Sequence, residues 1–278
     1  MIDYHIHTNH SIDASGTLAE YCQKALEIGL EEICFTNHCE LDPQRNDSFM
    51  RFNGNPEPVS NAGLINLQHE VFEVRDRFAR KGLSVKFGIE VGYDPGIENK
   101  LQAITTGLEL DFVIGAIHCL DHICIDSSRE CGKYFDMHDV EEYISNYLNA
   151  VSNLVSSKLF DSIAHIDVYK KYGLGYYGEE IYNAPREVMA QIFKSIKENG
   201  IAMEINTAGM RFMSEFYPAP TLMKMAREHG LERITIGSDS HKPADLGKDL
   251  EPAIAYLRSY GFHTIYRFEN RRPIALRI

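Results

Sequence analysis

The sequence predicts an α/β fold in which parallel strands alternate with helices. Short runs rich in β-branched and aromatic residues alternate with longer segments whose apolar residues recur at helical spacing. Seven strand–helix units follow one another, and a helix between two strands makes those strands parallel. A closed or partly closed barrel and an open doubly wound sheet both satisfy this pattern. With no domain linker or internal repeat visible, we expect a single domain over residues 1–278.

The individual elements follow from this alternation in chain order. The first strand is the run Ile-Asp-Tyr-His-Ile and the second is Glu-Ile-Cys-Phe-Thr, both short and rich in β-branched or aromatic residues. Strands are predicted at residues 2–6, 32–36, 84–90, 111–117, 162–165, 201–205, 233–237 and 263–268. Helices are predicted at residues 17–29, 62–81, 98–106, 138–156, 184–199, 219–229 and 246–260. Residues 42–61 and 121–137 are predicted loops, either functional lids or plain surface insertions.

Composition and charge exclude several function classes. The chain has 28 basic and 40 acidic residues, a formal net charge of −12, which disfavours binding to a nucleic-acid polymer. No stretch approaches the ~20 apolar residues that a membrane helix needs, so no membrane partner is expected. The first residues lack the features of a secretory signal, and we expect a cytoplasmic protein with reduced cysteines.

Polar residues recur where the predicted strands end. His5 and His7 stand at i and i+2 and therefore project from one face of the first strand. Because the loops after parallel strands lie on one face of an α/β fold, the side chains at the other strand ends should converge there. The candidate metal ligands are His5, His7, Asp13, His38, Glu90, His118, His165, Asp239 and His241.

A metal site is the best interpretation of this set, although any single histidine at a strand end is more often structural. A partly buried group of polar side chains is costly without partners, and divalent cations accept many lone pairs at once. Nine ligands imply two or three ions, with Glu90 as the natural bridge. Nitrogen and oxygen donors suit Zn²⁺, Mn²⁺ or Fe²⁺ equally. Cys39 and Cys119 each follow a proposed ligand and are expected in the core.

Taken in order, these motifs resemble the polymerase-and-histidinol-phosphatase (PHP) family. The resemblance covers nearly the whole chain and rests on His5-Ile-His7-Thr, Thr36-Asn-His38, Gly88-Ile-Glu90, His118, Ala164-His165 and Gly237-Ser-Asp239-Ser-His241. It implies a distorted (β/α)₇ barrel with a trinuclear metal site at the C-terminal face of the strands. It also implies how the ligands divide: His5, His7, Glu90 and Asp239 on the first ion, Glu90, His118 and His165 on the second, Asp13, His38 and His241 on the third.

Two further segments, residues 165–173 and 204–218, are similar to the members of the family that hydrolyse L-histidinol phosphate. This resemblance implies a phosphomonoesterase of histidine biosynthesis whose partner is a small phosphorylated metabolite. Departures from the family pattern occur at Asn37, where an acidic residue is frequent, at Asp13, where histidine occurs, and at Lys171, where arginine occurs.

The chemistry expected is attack on phosphorus by a hydroxide that bridges two metals. The residues expected to take part in catalysis are Glu90, Asp239 and His241. Arg211 and Lys171 are the candidates for binding the phosphate, although both could be solvated surface residues. The alternatives are a related phosphoesterase that acts on another small ester, such as a nucleotide, and a noncatalytic module stabilised by metal.

Overall fold

The computed structural model describes residues 1–45 and 48–278 and contains strands that alternate with helices along the chain. The strands are β1 (Ile2–Ile6), β2 (Glu32–Glu40), β3 (Phe49–Phe52), β4 (Asn55–Pro58), β5 (Ser84–Gly92), β6 (Phe112–Ala116), β7 (Cys119–Leu120), β8 (Ile123–Cys124), β9 (Ser162–Ile163), β10 (Ala202–Asn206), β11 (Ile234–Gly237), β12 (Thr264–Glu269) and β13 (Arg272–Arg277). The helices are α1 (Leu18–Glu27), α2 (Asn61–Ala79), α3 (Glu98–Thr105), α4 (Cys131–Phe135), α5 (Val140–Ser157), α6 (Lys170–Tyr177), α7 (Arg186–Asn199), α8 (Ala208–Phe212), α9 (Pro220–Glu228) and α10 (Leu250–Ser259). Short 3₁₀ helices occupy Gly178–Tyr182 and Pro243–Asp245.

The seven-stranded sheet of the described chain is parallel and nearly closes into a barrel. Its strand order is β1-β2-β5-β6-β9-β10-β11. The two edges meet where Ile6 forms a parallel bridge with Ser240, and the His7 amide donates to the Ser240 carbonyl at 2.9 Å. The barrel is distorted because β9 has two residues, whereas β2 and β5 pair along nine. The structure therefore decides in favour of the (β/α)₇ barrel over the open sheet.

The barrel strands are buried on both faces because helices cover the outside. Every residue of β1, β6, β10 and β11 is buried, as expected for parallel strands whose sequences are nearly continuous apolar runs. Helix α1 begins at a capping box in which the Thr17 hydroxyl accepts from the Glu20 amide and the Glu20 carboxylate accepts from the Thr17 amide at 2.6 Å.

The last predicted strand does not join the barrel. β12 pairs with β13 as an antiparallel hairpin that packs beneath the barrel. The Phe268 amide donates to the Tyr4 hydroxyl at 3.0 Å, and the Asn270 amide donates to Asp111, which precedes β6, at 3.1 Å. Arg267 lies 2.9 Å from Glu32, the first residue of β2. These contacts are all near strand N-termini, so the hairpin closes the end of the barrel opposite to the strand C-termini.

Both predicted loops contain secondary structure. Within residues 42–61, β3 and β4 form a hairpin, and Asn46 and Asp47 lie outside the described residues. Residues 121–137 contain β8 and α4, and β8 pairs with β7. Among the described helices, none is long and apolar enough to cross a membrane.

Candidate metal centre

All nine candidate ligands lie together at the C-terminal ends of the barrel strands. Glu90, near the end of β5, is at the middle of the group. Its carboxylate is fully buried. Five of the described imidazoles have a nitrogen within 3.5 Å of its oxygens, and they belong to His5, His7, His38, His118 and His165. The structure thus gives Glu90 the central position that its strand end predicted.

The first group of donors comprises two histidines of β1 and its end with two carboxylates. His5 Nε2 lies 3.3 Å from Glu90 Oε1 and 3.6 Å from Asp239 Oδ1. His7 Nε2 lies 3.4 Å from Glu90 Oε2 and 3.3 Å from Asp239 Oδ1. Gly237 allows this close approach, because a Cβ atom there would stand 2.3 Å from the Cβ of His5. The four side chains can therefore surround one ion.

The second group of donors consists of His118 and His165, which both contact Glu90. His118 Nε2 and His165 Nε2 lie 3.3 and 3.2 Å from Glu90 Oε1. His165 follows β9 with a φ of 23°, a left-handed backbone conformation that few non-glycine residues adopt. Both imidazoles are buried. Glu90 Oε1 thus faces His5, His118 and His165. Its Oε2 faces His7 and His38, so Glu90 contacts members of all three groups.

The third group lies at the rim. Asp13 Oδ2 is 3.5 Å from His38 Nε2 and 3.5 Å from His241 Nε2, and the two nitrogens are 3.4 Å apart. The Asp13 side chain is 55% exposed and that of His241 is 34% exposed, whereas those of His5, His7 and Glu90 are not exposed at all. The site therefore opens to solvent on the side of the third group.

The distances between donor atoms fit metal coordination better than hydrogen bonding. Most are 3.2–3.6 Å, long for a hydrogen bond. Two donors at tetrahedral positions, each about 2.0–2.2 Å from an ion, are separated by about 3.3–3.6 Å. In addition, His5 Nε2, His7 Nε2 and Glu90 Oε2 are buried and make no hydrogen bond with the described residues. A divalent cation would satisfy these atoms at once.

Two carboxylates that the strand-end pattern did not select orient the histidines. Glu204 Oε1 accepts from His5 Nδ1 at 2.7 Å, and its Oε2 accepts from the His165 amide at 3.0 Å. Glu40 Oε1 lies 2.8 Å from His118 Nδ1. Each contact fixes the proton on Nδ1 and leaves the Nε2 lone pair free for a metal. For Glu40, the sequence signal that could have identified it was its spacing, since it follows His38 at i+2.

Asn37 stands where the family frequently has an acidic residue, and its side-chain oxygen accepts three hydrogen bonds. Its Oδ1 accepts from the Thr8 amide at 2.8 Å, from the Thr8 hydroxyl at 3.0 Å and from the Ser11 hydroxyl at 3.1 Å. These bonds hold the turn that connects His7 to Asp13. The carboxylates that contact proposed ligands are instead those of Glu204, on His5, and Glu40, on His118.

The electrostatics of the cluster favour ionised carboxylates. Burial on its own would raise the pKa of Glu90, but the imidazoles of His5, His118 and His38 hold it well below its usual range. The pKa of Asp239 is lowered in the same way, against burial, by His5 and His7. Burial lowers the pKa of His7, and the neighbouring His38 and His241 lower it further. Burial would lower the pKa of His5, His38 and His118 as well, but the neighbouring carboxylates raise it well above its usual range. A bound divalent metal would replace those extra protons, because the neutral imidazole is the form that binds a metal.

Arg211, a candidate for phosphate binding, lies beside the metal ligands. It is on α8, which follows β10, and its Nη2 donates to the carbonyls of Ser238 and Asp239 at 2.8 and 2.9 Å. Its Nη1 is buried and has no hydrogen-bond partner among the described residues. Arg211 therefore holds the backbone of Asp239, which has a φ of 50°, and keeps one donor available.

Lys171, the second candidate, is ion-paired. Its Nζ lies 2.6 Å from Asp126 Oδ1 and 4.4 Å from the ring centroid of Phe212. Burial would lower the pKa of Lys171, but Asp126 outweighs it and raises the pKa, so the amine stays charged. The ammonium of Lys171 is thus a charge held in place by Asp126.

Comparison with known proteins agrees with this geometry. The family model for the PHP domain matches residues 3–208, which include every candidate ligand except Asp239 and His241. The chain belongs to the PHP family. Its distorted (β/α)₇ barrel is that of this family, so the resemblance first seen in the strand-end motifs is confirmed.

Relatives match this PHP protein along almost their whole length. A probable histidinol-phosphatase of Deinococcus radiodurans is 31% identical over 278 residues, covering 98% of this chain and 99% of the relative. The histidinol-phosphatase of Bacillus subtilis is 28% identical over 268 residues, covering 88% and 95%. The crystal structure of histidinol phosphate phosphatase from Lactococcus lactis, complexed with zinc, L-histidinol and phosphate, has a TM-score of 0.78, 24% identity and 98% coverage of both chains. That similarity shows a shared fold.

Proposed function

We propose that this protein is a metal-dependent phosphomonoesterase that hydrolyses L-histidinol phosphate to L-histidinol and phosphate. The observation that carries the proposal is the convergence of nine nitrogen- or carboxylate-bearing residues, with Glu90 at their centre and an unpaired Arg211 donor beside them. The substrate follows from the relatives, since those from D. radiodurans and B. subtilis are both named histidinol-phosphatases. Other small phosphate esters, such as a nucleotide, are the comparison substrates in the experiment that tests this proposal.

The residues present fit two or three divalent ions. Their roles as ligands remain our proposal: His5, His7, Glu90 and Asp239 for the first ion, Glu90, His118 and His165 for the second, and Asp13, His38 and His241 for the third. When bound, such ions supply a water molecule of lowered pKa and positive charge for the phosphate oxygens. Zn²⁺, Mn²⁺ and Fe²⁺ all suit these donors.

The chain itself positions and neutralises the substrate. Arg211 Nη1 can donate to a phosphate oxygen while Nη2 keeps the Ser238–Asp239 backbone in place. Lys171 carries a second positive charge, which reaches the phosphate if the ester competes with Asp126 for the amine. Hydrogen bonds from Arg and Lys to phosphate are charge-assisted and stronger than neutral ones. The carboxylates of Glu90 and Asp239 stay ionised throughout, and Asp239 and His241 face the open side of the site.

An aromatic ring at the rim supports the choice of an imidazole-bearing substrate. Phe212 is 57% exposed although it is a large apolar residue, and it follows Arg211 directly on α8. A phosphate held by Arg211 would place the remainder of the ester near this ring. An imidazole can stack on a phenyl ring, an arrangement worth about 0.5–1.5 kcal/mol. We propose that Phe212 contacts the histidinol moiety.

A substrate panel tests the proposal. The metal-loaded protein is assayed for phosphate release from L-histidinol phosphate, glycerol phosphate, phosphotyrosine and a nucleoside monophosphate. L-Histidinol phosphate should have the highest kcat/KM by a factor of ten or more. Phe212→Ala should raise the KM for L-histidinol phosphate and leave that for glycerol phosphate unchanged. Equal kcat/KM across the panel would contradict the substrate, and no release from any ester would contradict the activity.

Two further expectations stand as part of the proposal. We propose that residues 1–278 form one domain, because the hairpin of β12 and β13 packs on the barrel strands through Tyr4, Glu32 and Asp111. We also propose that the protein acts in the cytoplasm, which suits six cysteines that are all free thiols in the described chain. Limited proteolysis that releases residues 264–278 from a stable remainder would contradict the single domain.

A further inference from the structure

A tight hairpin of two cysteines follows the proposed ligand His118 directly. Strands β7 and β8 are joined by Asp121 and His122, whose φ values of 48° and 65° indicate a type I′ turn. The register places Cys119 opposite Cys124. Neither cysteine has a role in the proposed phosphatase chemistry.

Cys119 and Cys124 form a non-hydrogen-bonded pair of the hairpin. The Ile125 amide donates to the His118 carbonyl at 2.9 Å, a bond that flanks the pair and does not belong to it. In antiparallel strands such pairs have Cα atoms about 4.5 Å apart. Disulfides span Cα separations of about 4.4–6.8 Å. The backbone register therefore already holds the two cysteines directly opposite each other and within bonding range.

We propose that Cys119 and Cys124 are a reversible oxidation site, at which a low-molecular-weight disulfide converts the two thiols into one disulfide bond that lowers activity. Exposure explains why this pair reacts. Cys124 is partly exposed, whereas Cys22, Cys34 and Cys39 are completely buried. Oxidants therefore reach Cys124 first, and Cys119 is the nearest thiol by register. In a reducing cytoplasm the pair rests as thiols and oxidises under stress.

The chemistry is a pair of thiol–disulfide exchanges. The Cys124 thiolate attacks one sulfur of the disulfide R–S–S–R, forms a mixed disulfide and releases one thiolate RS⁻. The Cys119 sulfur then attacks the Cys124 sulfur, forms the Cys119–Cys124 bond and releases the second RS⁻. The two cysteines lose two electrons, which reduce R–S–S–R, and their two protons end on the released thiols as two RSH.

Oxidation would act on the metal site through the backbone. His118 directly precedes Cys119, and Asp126, the partner of Lys171, stands two residues after Cys124. Most disulfides have Cα separations near 5.5–6 Å, so bond formation would push the two strands apart by about 1 Å from a 4.5 Å pair. His118 Nε2 lies 3.3 Å from Glu90 Oε1, and a misplacement of about 1 Å can cost about 100-fold in rate. The predicted loss of activity rests on the proposed function.

The experiment oxidises the full-length, zinc-loaded protein with oxidised glutathione and maps disulfides by mass spectrometry after alkylation of free thiols. Wild type and Cys131→Ser should each lose two hydrogen atoms, give a linked peptide pair containing Cys119 and Cys124, and recover on addition of dithiothreitol. Cys131 is the matched control, because it is buried on α4 and directly follows Glu130, whose carboxylate accepts from the Cys124 amide at 3.2 Å. Cys124→Ser and Cys119→Ala should not form the linked pair.

Phosphate release is measured in the same samples. The oxidised wild type should lose between ten- and 100-fold in turnover and regain it with dithiothreitol, whereas Cys124→Ser should keep its turnover under oxidant. A linkage of Cys124 to Cys131, the absence of any linkage, or oxidised protein with full activity would each overturn the proposal. If no phosphate ester is hydrolysed, zinc content before and after oxidation replaces turnover as the readout. A mapped Cys119–Cys124 disulfide with reversible zinc loss then supports the oxidation site while the phosphatase function fails.

Discussion

Glu204→Gln is the substitution for which the structure gives the sharpest expectation. The Glu204 carboxylate is buried and accepts three hydrogen bonds: from His5 Nδ1 at 2.7 Å, from the His165 amide at 3.0 Å and from Asn206 Nδ2 at 3.0 Å. Glutamine has nearly the same shape but replaces one acceptor oxygen by a donor. One carboxylate thus orients two proposed metal ligands, and the substitution tests both contacts at once.

Neither orientation of the glutamine amide satisfies its neighbours. If its oxygen faces His5, its NH₂ meets the His165 amide, and a buried donor loses its acceptor at a cost of about 1–3 kcal/mol. If its NH₂ faces His5, the imidazole must carry its proton on Nε2, the atom that points at Glu90 and Asp239. That tautomer cannot bind a metal through Nε2. Both cases predict a 10- to 100-fold loss, about 1.4–2.7 kcal/mol, in metal affinity or turnover.

The assay titrates zinc into metal-free protein and measures turnover at saturating zinc. Glu269→Gln is the matched control, because Glu269 is 53% exposed, pairs with Lys86 and lies at the opposite end of the barrel. Circular dichroism establishes that both variants are folded. If Glu204→Gln keeps wild-type zinc affinity and turnover, the carboxylate does not orient His5 and the assignment of the first ion's ligands is wrong.

Further substitutions and treatments test the remaining parts of the site. Glu90→Gln removes the central carboxylate, so turnover and bound metal, measured by elemental analysis, should fall together by about 100-fold or more. Arg211→Ala removes a charge-assisted hydrogen bond worth about 1.5–3 kcal/mol, so the KM for the ester should rise about 10- to 150-fold in steady-state assays. Removal of metal by a chelator should lower the melting temperature by about 5 °C or more in a thermal scan, because bound ions stabilise the folded state. Lys170 Nζ lies 2.7 Å from the buried Asp167 and 2.6 Å from Glu215, so Lys170→Ala leaves both carboxylates without their shared cation. The free energy of unfolding, measured by urea denaturation, should fall by about 3 kcal/mol.

Each of these expectations has a contrary result. Full activity in Glu90→Gln would remove its bridging role, and loss of metal in Arg211→Ala without a change in KM would assign Arg211 to the support of Asp239 alone. An unchanged melting temperature after chelation would mean that the donors are satisfied without ions. The control for Lys170→Ala is Lys24→Ala. Lys24 forms an exposed ion pair with Glu27, and its loss should lower the free energy of unfolding by less than about 1 kcal/mol.

The sequence predicted most of the barrel because parallel strands have a strong local signature. β1, β5 and β11 lie within a residue or two of their predicted ranges, since buried strands are continuous apolar runs that end at polar residues. The same rule located the nine donors at the strand ends. The terminal strand predicted at residues 263–268 is present as β12. Its antiparallel partner β13 was not predicted, because β13 consists of exposed and half-buried residues and lacks an apolar run.

Local pattern thus determined the fold class and the residues that meet at one end of the barrel, because strand direction and side-chain alternation are properties of short segments. Tertiary structure alone decided which groups complete the site. Glu204 reaches His5 across 199 residues of sequence, and Glu40 reaches His118 across 78. Such contacts depend on the order of the strands and on closure of the barrel, and no short segment encodes either.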